Sequence, residues 1–102
     1  MTNEIKQSRG HLTERIKKAS VKLLGYEINQ QELRLMAYLQ FTMVNNQRLE
    51  LDKLSDIESP ILADWLNKGF IKGEVFKKIE VTKKFWDAMC EIIYLGYVDL
   101  KY

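Results

Sequence analysis

The stretch Leu66-Asn67-Lys68-Gly69-Phe70-Ile71 decides how this chain is read. A glycine placed directly after an amphipathic run ends a helix in the left-handed conformation, and a large apolar pair after it starts a strand that turns back over that helix. The helix so closed is opened by Ser59 as N-cap with Pro60 at its first position, and Ile61, Leu62, Trp65 and Leu66 give it an apolar face. Downstream, Phe70 to Val81 reads as a hairpin. Phe70-Ile71 goes out, Gly73 permits the turn, and Ile79-Glu80-Val81 returns. Thr82 then caps a helix running through Leu95, with Phe85, Trp86, Met89, Cys90, Ile92 and Ile93 on its buried side. Gly96 is expected at C′, with an Ile92–Tyr97 contact completing a Schellman motif. Tyr97 to Tyr102 alternates as a last short strand or tail.

Upstream, Asn29 to Asn46 carries the clearest helix signals. Asn29 with Glu32 forms a capping-box pattern, and Ile28 with Leu33 a hydrophobic staple. Apolar residues nearly all round this segment predict a central, buried helix. Arg48-Leu49-Glu50-Leu51 alternates as a short strand, and Asp52 to Ile57 makes one or two helical turns with Leu54 and Ile57 facing inward. Asn3 to Leu24 reads as an amphipathic helix, firmest from Leu12, with Gly25 as C-cap. Its stripe of Leu12, Ile16, Ala19 and Leu23 either seats on the domain's own core or zips to a second copy, and we expect a homodimer through it.

At 102 residues the chain is long enough for one domain. The single cysteine, Cys90, forms no intrachain disulfide, and the single histidine, His11, makes no His/Cys metal cage. No run approaches the roughly 18 apolar residues of a membrane helix, and residues 1–10 have no apolar signal-peptide segment, so the cytoplasm is the expected compartment. The net charge of +2 conceals segregation. Residues 1–24 carry +4, residues 25–66 carry −4, residues 67–84 carry +4 and residues 85–102 carry −2. Two basic segments thus flank an acidic middle, and basic segments attract phosphate through counterion release.

The order is helix, helix, short strand, short helix, helix, hairpin, helix. Together with Leu66-Asn67-Lys68-Gly69-Phe70-Ile71 and Ile79-Glu80-Val81-Thr82-Lys83-Lys84-Phe85-Trp86, it resembles the winged helix-turn-helix superfamily over about residues 29–93. In MarR-like members a similar wing-to-helix phrase precedes a helix that joins the dimer interface. The resemblance implies a mainly α fold with a small β-hairpin (α+β), extended by an extra helix at each end. The single domain divides into an N-terminal helix (1–25), a winged-helix core (26–81) and a C-terminal helix with tail (82–102). It also implies double-stranded DNA as partner. The candidate contacts are Lys68, Lys72, Lys77, Lys78 and Asn67 around the wing and Lys17 and Lys18 on the basic first helix.

The helix in the recognition position has Asp64, Asn67 and Lys68 outward and Asp56 and Glu58 just before it, a poor set for reading bases. DNA affinity is therefore expected from the backbone and from the basic wing. No phosphate-binding loop and no Gly-x-Ser-x-Gly elbow is present, and no catalytic residue, cofactor or metal is expected. The expected function is a small dimeric transcriptional or replication/partition regulator. The alternative is a winged-helix protein-interaction module, such as an adaptor, a subunit or a mobile-element-encoded inhibitor, with exposed aromatics at Trp65, Phe76 and Tyr97–Tyr102.

Overall fold

The computed structural model describes residues 9–45, 54–73 and 79–99. Among these residues, four α-helices and a two-stranded antiparallel sheet follow one another as α1 (Glu14–Leu24), α2 (Gln30–Val44), α3 (Glu58–Asn67), β1 (Ile71–Lys72), β2 (Glu80–Val81) and α4 (Lys83–Ile93). A π-helical turn, Tyr94–Val98, ends the described chain. The fold is thus mainly helical with one small sheet. The expected hairpin is present as an antiparallel pair, in which Ile71 pairs with Val81 and Lys72 with Glu80. The expected strand at 48–51 and the wing tip at 74–78 lie outside the described residues. Among the described residues no helix is long and apolar enough to cross a membrane.

Local chemistry sets most of the boundaries. The Asn29 side chain accepts from the Glu32 N–H at 2.8 Å and the Glu32 carboxylate accepts from the Asn29 N–H at 3.2 Å, which completes the capping box. The Thr82 hydroxyl accepts from the Phe85 N–H and itself donates to the Phe70 carbonyl, so one side chain both starts α4 and ties it to the end of α3. Gly25 and Gly69 hold φ of 85° and 77°, which lets α1 and α3 stop sharply.

Tertiary packing overrides the local pattern elsewhere. The first helix begins at Glu14 under a Thr13 cap and not at Asn3. Gly10, at φ 75°, turns the chain there and donates its N–H to the Gly96 carbonyl at 2.7 Å. Gln30 clamps the same turn, donating to the Gly10 carbonyl and accepting from the Leu12 N–H. Gly96 is accordingly no Schellman C′. It lies inside the π-helical turn without positive φ, and Tyr97 packs on Gly10. The helix α3 opens two residues earlier than expected, at Glu58, where Ser55 and Glu58 exchange side-chain to backbone bonds of 3.1 and 3.2 Å. Pro60 then sits in the first turn, where a missing N–H is tolerated. Residues 54–57 are turn and not helix, with Leu54 half-buried but Ile57 59% exposed.

The core joins Ile16 of α1, Leu33, Leu35, Met36 and Leu39 of α2, Leu62 and Trp65 of α3, Ile71 of β1, and Phe85, Met89 and Ile92 of α4. The terminal helix α4 is the hub, since it packs against both α1 and α2. The helix α2 is less enclosed than its composition predicts, because Phe41 and Val44 remain largely outside. Trp65 has no exposed surface, which removes it from the expected exposed aromatics. Phe76 lies outside the described residues.

Candidate nucleic-acid interface

Three chain reversals meet at one place: the end of α1 at Gly25, the end of α3 at Gly69 and the start of α4 at Thr82. Between them lies a cleft of about 430 Å³ lined by Lys22, Lys68 and Lys84, with Leu23, Leu24, Phe70 and Phe85 as its apolar walls. Among the described residues no carboxylate lines it. Lys22 belongs to the first basic segment and Lys68 and Lys84 to the second, so the fold brings together charges the sequence keeps far apart.

Lys68 is held in place by its neighbours. Its ammonium lies 2.7 Å from the Asp64 carboxylate and 3.7 Å above the Tyr26 ring centroid. Tyr26 in turn donates a short hydrogen bond to Glu32 and accepts from the Trp65 indole N–H at 3.3 Å. Phe70 stacks 4.7 Å from Phe85 and 6.4 Å from Tyr26. The cleft therefore rests on a braced aromatic layer that links the loop before α2 to α3 and α4.

Burial, and then the bond to Glu32, push the Tyr26 phenol well above the ordinary tyrosine range. The unfolded chain then ionises first, so stability is full below about pH 10 and falls as pH rises beyond it. Tyr26→Phe is expected to remove that part of the slope. Urea midpoints taken from about pH 9 to pH 11.5 for both proteins check this, and identical slopes would place the phenol in water.

The candidate contacts fall unequally. Lys68 lines the cleft, and Asn67 and Lys72 are exposed beside it in sequence, at the end of α3 and on β1. Lys17 is shared between Glu14 at 3.2 Å and Glu27 at 3.8 Å. Lys18 is exposed, has no carboxylate partner among the described residues and shares a helix face with Lys22 four residues on. Lys77 and Lys78 lie outside the described residues. The outer face of α3 offers Pro60, Ala63, Asp64 and Asn67 and no free cation among them.

Lys22 and Lys84 are the cleft residues that sequence reasoning passed over. Their signal was membership of the two basic segments, but nothing local distinguished them from the other lysines. Of the expected pairing stripe, Ile16 has no exposed surface, Leu12 and Leu23 are half-buried against the core, and Ala19 is half-buried. Cys90 is half-buried, with its Sγ 3.3 Å from the Gln40 side-chain amide. No protein-family model matches the chain, and no curated protein and no solved structure is detectably similar to it.

Proposed function

We propose that this chain is a small cytoplasmic DNA-binding regulator of the winged helix-turn-helix type that holds duplex DNA by its backbone. One observation carries the reading: the two basic segments converge on one cleft at the base of the hairpin, which no carboxylate among the described residues lines. The sequence of helices α2 and α3, hairpin and α4 supports it, as does the outer face of α3, whose Pro60, Ala63, Asp64 and Asn67 offer little to base edges. The proposal includes a homodimer, whose seam uses what α1 leaves outside. Val21 is 49% exposed there, whereas Ile16 is spent on the core.

Fluorescence anisotropy with a labelled duplex, titrated across salt, tests the reading. Four contacts from Lys18, Lys22, Lys72 and Lys84 predict that log K falls against log salt with a slope of about −3 to −4, and a dissociation constant on the order of micromolar or weaker for unselected sequence. Absence of binding at low salt overturns it. A second reading, a protein-interaction module, is favoured by the exposed Phe41 and Val44 on α2. A stable protein partner bound without any duplex affinity selects that one.

A further inference from the structure

We propose that the outward face of α2 and α4 seats a second copy of this chain, related to the first by a two-fold axis that crosses both helices near Ala37. This rests on the homodimer part of the reading above and places most of the seam on this face and little of it on α1. Phe41 and Val44 of α2, and Tyr94 and Val98 in the turn that ends α4, are each more than half exposed. On α2 they belong to the stripe Arg34, Ala37, Phe41 and Val44, whose spacings of 3, 4 and 3 keep it on one side of the helix, opposite the buried Leu35 and Leu39. On α4 the same spacing joins Glu91, Tyr94 and Val98. Among its large apolar side chains α1 exposes only Val21 to this degree.

The charges on this face select the occupant. Two contacts set α2 and α4 antiparallel and side by side: the Gln40 amide lies 3.3 Å from the Cys90 Sγ, and the Leu33 methyls lie 3.6 Å from where a Cβ on Gly96 would stand. Counted along both helices from these contacts, Glu91 is level with Leu39, and Tyr94 and Val98 bracket the level of Leu33. Arg34 therefore lies at the Tyr94–Val98 end of the face and Glu91 toward the Phe41–Val44 end. Both are exposed, and neither has an ion-pair partner among the described residues. A two-fold axis at Ala37 reverses the levels. Arg34 of one copy comes level with Glu91 of the other, and Phe41 comes level with the Tyr94–Val98 pair. Ala37, a small residue at the axis, lets the helices approach. Each unpaired charge thus meets its opposite and each apolar end meets the other, twice over, as an isologous contact requires. The 15 residues of α2 give the face a length of about 22 Å, and two helix diameters give it a width of roughly 20 Å. That is a footprint on the order of 450 Å² per copy, so two copies together approach the roughly 1,000 Å² of a specific interface.

Sedimentation equilibrium of the full chain, taken up to several hundred micromolar, tests the seam. The wild type is expected to show a monomer–dimer equilibrium, and Phe41→Ser, Arg34→Glu and Glu91→Arg each to raise its dissociation constant about tenfold or more. All three positions are exposed, and a circular dichroism melt checks that each variant keeps its fold. Combining Arg34→Glu with Glu91→Arg is expected to restore the constant to within about threefold of wild type, a rescue that a role in folding alone does not produce. Val21→Asp is expected to leave it unchanged. A dimer broken by Val21→Asp but kept by Phe41→Ser and Arg34→Glu overturns this seam and leaves the homodimer standing on α1. A wild-type monomer at every concentration overturns both, including the case in which the face holds a different protein.

Discussion

Trp65→Ala is expected to cost about 3–5 kcal/mol, comparable to the whole stability of a domain this size. The indole has no exposed surface and meets Phe85 at a centroid distance of 5.1 Å. Its N–H is 3.3 Å from the Tyr26 hydroxyl and 3.4 Å from the Glu32 carboxylate, so truncation both opens a cavity and strips a donor from a buried acid. Trp65→Phe keeps most of the packing and loses the donor, for an expected cost of about 1–2 kcal/mol. Guanidinium unfolding followed by circular dichroism separates the two. An alanine variant within about 1 kcal/mol of wild type would contradict the burial of this ring.

Ile16→Asp is expected to abolish the fold and not to yield a stable monomer. Ile16 is fully buried, and its Cδ1 lies 3.5 Å from where a Cβ on Gly96 would stand. Losing the aliphatic side chain costs about 2–5 kcal/mol, and a carboxylate without a partner in the core adds a desolvation penalty of several more. Circular dichroism and analytical ultracentrifugation read the result together. A folded monomer with wild-type melting would instead return Ile16 to a pairing seam. Leu23→Asp, at a half-buried position, is the milder companion and keeps enough fold to report on the seam.

The parts of this fold that were legible in the sequence are those decided within a turn of chain. Asn29 with Glu32, Thr82, Gly25 and Gly69 mark helix ends because the bonding partner lies within four residues. The hairpin itself was legible because apolar residues at 70–71 and at 79 and 81 flank a segment that includes a permissive glycine. The errors came where distant residues cast the deciding vote. Gly96 has the look of a C-cap, but Gly10 claims its carbonyl. The last helix is the hub of the packing, a role that periodicity does not encode. Trp65 lies on a helix with two apolar edges, and only the position of Glu32 and Tyr26 decides which edge faces inward. The candidate site was half legible. Segment charge identified two basic regions, but the meeting of Lys22 with Lys84 depends on how α1 and α4 pack.

The bond between Gly10 and Gly96 also bears on how the molecule opens. With Arg15, which reaches Asp99 across 84 positions at 2.6 Å to its carbonyl and 3.1 Å to its carboxylate, it closes nearly the whole described chain into a ring. Closing so long a loop costs roughly 4 kcal/mol in chain entropy, so the clasp forms only once the helices between have assembled. The two ends of the described chain consequently do not fray independently. Release of either one frees the other, which turns what are ordinarily the loosest parts of a small domain into a single cooperative unit.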